Sequence, residues 1–183
     1  MNRNCMQFYK FCGELMKKKD LEHIEKITRD QSENEAWFKY RFGRITASIV
    51  YEERVLGAKL PLTSDTVNRE KCLEKEVIEI VKQKRSLKIN KSGLYLRKDF
   101  PIFGASPDGI SDEYVIEIKL QMQMMFANKN KGLFCVASPN FERDKNVQII
   151  ELIFEEAKIM EIIELAQQFW ENSIFKQLEI SYL

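Results

Sequence analysis

Three charged residues in the second half of the sequence have the types and spacing of a metal-dependent hydrolytic site. Asp108 belongs to a Ser-Pro-Asp-Gly segment (106–109), whose residue types are typical of a type I turn. Glu117 follows nine residues later, in a segment where polar and apolar residues alternate. Because side chains alternate across a strand, Glu117 and Lys119 lie on one face and their isoleucine neighbours on the other.

This combination brings two carboxylates and an ammonium group to one edge of a sheet. Taken alone, the turn would be only a hairpin connection, and a Glu-x-Lys pair would be an ordinary solvent-facing strand. Together they favour a site for Mg²⁺, with Mn²⁺ as the alternative, since Mg²⁺ is bound by one or two carboxylates together with substrate phosphate. A metal ion there would activate water, and the ammonium of Lys119 would orient that water or stabilise developing charge, with no covalent nucleophile.

The hydrophobic pattern predicts the elements that must position these residues. Ser32 and Glu35 have the spacing of a capping box before a helix that carries Arg41. One or two helices are predicted at 5–30, and further helices at 69–84, 121–128 and 155–172 and in the segment that carries Trp37, Tyr40 and Arg41. Strands are predicted at 93–98, 102–105, 114–119, 133–137 and 147–154. This order predicts an α/β fold in which a mixed central sheet is flanked by helices.

Length and composition indicate the number of domains and the cellular environment of the protein. A chain of 183 residues with 44% hydrophobic residues can bury one good core, so we expect a single domain with an N-terminal helical segment (1–31) and a core (32–183). The four cysteines form no Cys-x-x-Cys pair and His23 is the only histidine, which argues against a zinc site or a disulfide scaffold and favours a reducing compartment. With no signal-like or membrane-spanning segment, the sequence predicts a soluble intracellular protein without a membrane partner.

Three separated segments carry a resemblance to a known family. They are Trp37 to Ser48 (WFKYRFGRITAS), Gly104 to Gly109 (GASPDG) and Ile116 to Lys119 (IEIK). In this order they resemble the PD-(D/E)XK nucleases, and more narrowly the lambda-exonuclease and YqaJ-like viral recombinase family, over most of the chain from about residue 27. The resemblance implies a restriction-endonuclease-like core and a Mg²⁺-dependent 5′-to-3′ exonuclease that acts on duplex DNA ends in recombination and repair.

The resemblance also implies roles for individual residues. Glu74 on the helix completes the metal site, because its segment aligns without a gap, whereas Glu76 would need an insertion. The implied metal ligands are Glu74, Asp108, Glu117 and Ile118, the catalytic residues are Glu74, Asp108, Glu117, Lys119 and Gln121, and the residues for DNA and its 5′-phosphate are Arg41, Ser48 and Ser106. Arginine suits phosphate because its planar fork makes bidentate contacts.

One departure from the family leaves alternatives open. The family has an excursion of some two dozen residues between the catalytic lysine and a helix with a Gln-x-Gln motif, whereas here Gln121 and Gln123 follow Lys119 almost at once. Either glutamine could serve the site, or the chain is a catalytically impaired DNA-binding relic. A structure-selective or single-strand endonuclease is a further alternative, and a homo-oligomer and a single-strand annealing partner also stay open.

Overall fold

The computed structural model describes residues 3–47, 64–117 and 120–181. Within these residues the helices are α1 (Arg3–Leu15), α2 (Lys18–Ile27), α3 (Glu35–Arg41), α4 (Ser64–Arg85), α5 (Leu120–Phe126), α6 (Phe141–Asp144), α7 (Glu156–Phe169) and α8 (Lys176–Ser181). A π-helical segment, Trp170–Phe175, joins α7 to α8. The strands are β1 (Ile45–Thr46), β2 (Tyr95–Arg97), β3 (Phe100–Ala105), β4 (Gly109–Ile110), β5 (Tyr114–Glu117), β6 (Lys131–Ala137) and β7 (Val147–Ile153).

The start of α3 differs from the predicted capping box. The cap is Asn34, whose side chain accepts a hydrogen bond from the backbone N–H of Ala36 at 2.8 Å. The predicted cap, Ser32, lies instead inside a short 3₁₀ turn, Gln31–Glu33. That turn delays the helix by two residues, and asparagine is as good a cap as serine.

The strands form two mixed sheets rather than the one predicted central sheet. In the three-stranded sheet the order is β1-β3-β2, with β1 parallel and β2 antiparallel to β3. In the four-stranded sheet the order is β4-β5-β6-β7, with β5 and β6 parallel and the other two pairs antiparallel. Both sheets contain parallel and antiparallel pairs, which confirms the mixed topology.

The two sheets have separate hydrophobic cores. Helix α4 lies on the four-stranded sheet, where Val81 packs with Leu133, Phe141 and Val147. All residues of the methionine-rich helix α5 except Gln121 are buried, and Met122 and Met125 pack with Phe103 of the three-stranded sheet and with α7. Both sheets therefore have a helix that fixes the position of their strands.

The short link between β5 and β6 still makes a parallel crossover. Helix α5 begins at Leu120, directly after the link, and β6 pairs in parallel with β5 from Tyr114 opposite Lys131 to Glu117 opposite Phe134. Helix α5 lies so close to β6 that a Cβ added at Gly132 would be 2.5 Å from Leu120 Cδ2. Glycine at position 132 is what lets Leu120 pack directly on β6.

The predicted fold class is confirmed. The described residues form a mixed α/β architecture flanked by helices, as predicted. Two very short strands, β1 and β4, were not predicted, and α4 is longer than predicted. In the described part of the chain, no helix combines the length and apolar character needed to span a membrane.

Candidate active site

The position of Asp108 follows from the pairing of β4 with β5. These strands are antiparallel, with Gly109 opposite Ile116 and Ile110 opposite Val115. One step further along this register places Asp108 opposite Glu117, and directly opposed side chains of an antiparallel pair lie on the same face with their Cβ atoms about 5 Å apart. The sheet register therefore brings together the two carboxylates that the sequence singled out.

The segment before Asp108 is a bend that connects the two sheets. It leads from β3 in the three-stranded sheet to β4 in the four-stranded sheet. The carbonyl of Pro107 accepts hydrogen bonds from Ser92 Oγ at 2.6 Å and from Gln31 Nε2 at 2.9 Å. Trp37 Nε1 donates to Ser106 Oγ at 3.0 Å. Side chains from three other segments therefore hold the bend in place.

Gln31 and Ser92 are site-supporting residues that sequence reasoning missed. Gln31 has a positive φ of 45° and also donates to the carbonyl of Ser92 at 3.1 Å. Ser92 is almost fully buried. Their contacts with Pro107 span 76 and 15 residues, so no local motif could reveal them.

Asp108 lies in a strongly acidic environment. Burial, and next the charges of Glu117 and Glu74, raise the pKa of Asp108 well above its ordinary value of 3.8. A hydrogen bond with Glu117 acts in the same direction, because it favours the protonated carboxyl. The crowded pair thus holds a proton readily, and a cation bound between the carboxylates would compete with that proton.

The charge of Glu74 reaches this pair, and Glu76 has a different partner. Glu74 contributes to the raised pKa of Asp108. Glu76, two residues further along α4, forms an ion pair with Lys145 after α6. Glu74, rather than Glu76, is therefore close enough for its charge to act on Asp108.

The glutamine that reaches the site is Gln123, which corrects the choice of Gln121. Gln123 Nε2 donates to Glu117 Oε2 at 3.0 Å, and the Gln123 side chain is only 4% exposed. Gln121 donates instead to the carbonyl of Ile153 and accepts from the backbone N–H of Glu155, both at 3.0 Å. Gln121 thus joins α5 to the link between β7 and α7 and has no contact with the carboxylates.

The donor set suits a hard divalent cation that is bound partly by its substrate. Among the described residues, no three acidic, histidine or cysteine side chains are placed to hold an ion by themselves. The paired carboxyls of Asp108 and Glu117 nevertheless supply the one or two carboxylates that Mg²⁺ needs beside substrate phosphate and water. The buried Gln123 Oε1 receives no hydrogen bond from the described residues, so a polar acceptor is also left at this position. These residues fit the metal.

A second group of side chains connects Arg41 to the same bend. The Arg41 guanidinium lies 3.7 Å from the centre of the Trp37 ring, and its Nη2 donates to Thr46 Oγ1 at 3.0 Å. The Trp37 ring is the one that donates to Ser106. Arg41 and Ser106 are therefore brought together, whereas Ser48, Ile118 and Lys119 lie outside the described residues.

Cys135 is a further neighbour that the sequence did not point to. Burial, and next the charge of Asp108, raise the pKa of the Cys135 thiol to about 11. A thiol with such a pKa stays protonated at neutral pH and is a poor nucleophile and a poor metal ligand. Cys135 therefore supplies neither a nucleophile nor a metal ligand to the site.

Comparison with known proteins gives a fold relationship. No protein-family model matches the chain, and no curated protein sequence matches it. Among solved structures, the chain is similar to the alkaline exonuclease LHK-Exo from Laribacter hongkongensis, with a TM-score of 0.62 and 19% identity over 81% of this chain and 98% of that chain. The complex of LHK-Exo with dAMP matches with a TM-score of 0.67 and 20% identity over the same shares. The chain therefore has the fold of this alkaline exonuclease.

Proposed function

We propose that this protein is a divalent-metal-dependent DNA nuclease, and that it removes nucleotides from the 5′ ends of duplex DNA. The observation that carries the proposal is the carboxyl pair of Asp108 and Glu117, which the β4–β5 register places face to face and Gln123 buttresses. The fold neighbour from Laribacter hongkongensis is an exonuclease, and one of its structures contains dAMP, which supports DNA as the substrate class.

Asp108 and Glu117 would hold Mg²⁺ or Mn²⁺, together with the backbone carbonyl of Ile118, and Glu74 would add negative charge from α4. When bound, the ion would lower the pKa of a water molecule and offset charge on the scissile phosphate. Gln123 restrains Oε2 of Glu117 at 3.0 Å, and the Glu117 carboxyl also hydrogen-bonds with Asp108. Lys119, two residues after Glu117, would stabilise the charge that develops as water attacks phosphorus and the P–O bond breaks.

Arg41, Ser48 and Ser106 would bind the terminal 5′-phosphate. Arg41 and Ser106 contact the same indole, and Ser106 is two residues from Asp108. A phosphate bound there would lie at the entrance to the carboxylates, which would set the distance from the DNA end to the cleaved bond. This geometry favours release of nucleotides from an end over cleavage within a closed strand.

Linear duplexes labelled at the 5′ or the 3′ end, together with a closed circular duplex, would test the proposal in Mg²⁺ and in EDTA. We expect early loss of the 5′ label, retention of the 3′ label and an intact circle, all dependent on Mg²⁺. Cutting of the circle would indicate an endonuclease instead. Binding of DNA without any cleavage would indicate a DNA-binding protein that has lost its catalytic activity.

A further inference from the structure

Helix α3 presents two aromatic rings to solvent beside Arg41. Phe38 is 56% exposed and Phe42, which caps the helix, is 78% exposed. They are four residues apart and so share one side of the helix. Trp37 and Arg41, also four residues apart, form the neighbouring side and contact each other at 3.7 Å. One short helix therefore carries an aromatic side next to a cationic one.

The indole of Trp37 contacts residues on both sides. Its ring lies 5.0 Å from the ring of Phe38 in an edge-to-face arrangement, and it also contacts Arg41 and Ser106 and packs against the core. Phe38 and Arg41 are three residues apart, so their side chains are neighbours on the helix surface. One nucleotide can therefore reach both, with its phosphate at Arg41 and its base at Phe38.

The size of the aromatic surface suits bases better than a protein partner. With about 200 Å² for a phenylalanine side chain, the two exposed fractions amount to about 270 Å². A stable protein interface buries about 800 Å² on each partner. One or two stacked bases need far less, and every base has an aromatic face that can stack on phenylalanine.

We propose that Phe38 and Phe42 form a stacking surface for the unpaired nucleobases at a DNA end whose terminal phosphate contacts Arg41. The inference rests on the proposed function and extends it, because it makes an end with unpaired 5′ nucleotides the preferred substrate. Phosphate contact and base stacking then act on the same nucleotide. Sequence selectivity is absent, because stacking does not read the hydrogen-bonding edges of a base.

The test compares two 5′-phosphorylated duplexes that differ only in their overhang. One has a two-nucleotide 5′ overhang of adenines, and the other has abasic residues at the same positions, so the phosphates are identical. Binding is measured by fluorescence anisotropy in EDTA, which prevents metal-dependent cleavage. We expect the wild-type protein to bind the adenine overhang about 5- to 150-fold more tightly, the range for one stacked base.

Variants assign this difference to the two rings. Phe38→Ala and Phe42→Ala should each reduce it, and the double variant should abolish it. Phe11→Ala is the matched control, because Phe11 is also 56% exposed but lies on α1, and it should leave the difference unchanged. Phe42→Trp should retain the difference, because an indole also stacks on a base.

Equal wild-type affinity for both overhangs would overturn the stacking surface, even if the protein degrades DNA as proposed above. Loss of the difference in Phe11→Ala as well would also overturn it. Absence of both DNA binding and DNA cleavage would overturn the proposed function together with this inference. The comparison within the wild-type protein needs no variant, so it decides the question even if a substituted chain misfolds.

Discussion

Replacing Asp108 by asparagine should stabilise the metal-free protein at neutral and alkaline pH. Burial and the charges of Glu117 and Glu74 raise the pKa of Asp108 above 3.8, so the ionised form of Asp108 is disfavoured in the folded state. Asparagine has nearly the same shape and carries no charge. Asp108→Asn should therefore remove the repulsion while it abolishes cleavage.

The pH dependence of the effect follows from proton binding. Below about pH 3.8, Asp108 is protonated in both the folded and the unfolded chain and costs no stability. As the pH rises from there to the folded-state pKa, only the folded chain keeps its proton, so the free energy of unfolding falls. Above the folded-state pKa the whole penalty is present. The advantage of Asp108→Asn should thus be near zero in acid and reach a plateau in alkali.

The expected size is within reach of a melting experiment. Substitutions that relieve a destabilised functional site typically contribute about 0.5–2 kcal/mol. For a chain of this length, each kcal/mol shifts Tm by about 2–4 °C, so we expect a rise of about 1–8 °C in EDTA at pH 8. Saturating Mg²⁺ at 100 times its Kd would stabilise the wild-type protein by about 2.7 kcal/mol and the variant much less.

Thermal melts from about pH 2 to pH 9, with EDTA or Mg²⁺, would measure both pH profiles. Asp144→Asn is a control with the opposite sign, because hydrogen bonds from the Asn146 backbone and from Ser138 lower the pKa of Asp144. That variant should lower Tm at neutral pH, an effect that disappears as the pH falls through the folded-state pKa. If Asp108→Asn lowers Tm at pH 8 in EDTA, the three carboxylates do not repel one another as we argue.

Three other predictions follow from the same geometry. Gln123→Ala should lower the cleavage rate about 10- to 100-fold, the usual effect of losing a side chain that orients a metal ligand. Gln121→Ala should leave the cleavage rate unchanged and lower the free energy of unfolding, measured with denaturant, by about 1 kcal/mol. Gly132→Ala should lower the free energy of unfolding by about 1–3 kcal/mol, because the added Cβ would overlap Leu120. A Tm equal to the wild-type value would contradict the close contact between Leu120 and β6. Arg41→Ala should remove faster degradation of 5′-phosphorylated over 5′-hydroxylated duplexes, and equal wild-type rates on both ends would exclude that role.

The carboxylates could be predicted from sequence because their positions depend on local patterns. A Ser-Pro-Asp-Gly segment marks a chain reversal, and period-two alternation shows which face Glu117 occupies. The structure adds that the segment is a bend between two sheets, with Pro107 held by Ser92 and Gln31. These contacts depend on the assembled fold, so no local pattern reports them.

The choice between Gln121 and Gln123 shows where periodicity stops being informative. An amphipathic helix reveals its inner face through an apolar stripe, but every residue of α5 except Gln121 is buried, so its apolar residues form no stripe that distinguishes the two glutamines. Strands β1 and β4 have two residues each, which is too short for alternation to be visible. Ser32 and Asn34 are both good caps, and the 3₁₀ turn at Gln31 decided between them.

The most direct test of the central claim is the single-turnover cleavage rate of a 5′-phosphorylated duplex by wild-type protein and Glu117→Gln, in Mg²⁺ and in EDTA. Glutamine keeps the size of Glu117 but removes the charge that faces Asp108. We predict cleavage by the wild-type protein in Mg²⁺ only, and a loss of at least about 100-fold in a variant that melts cooperatively. Cleavage by the wild-type protein in EDTA, or a near-wild-type rate for Glu117→Gln at saturating Mg²⁺, would contradict a metal-dependent site at these carboxylates.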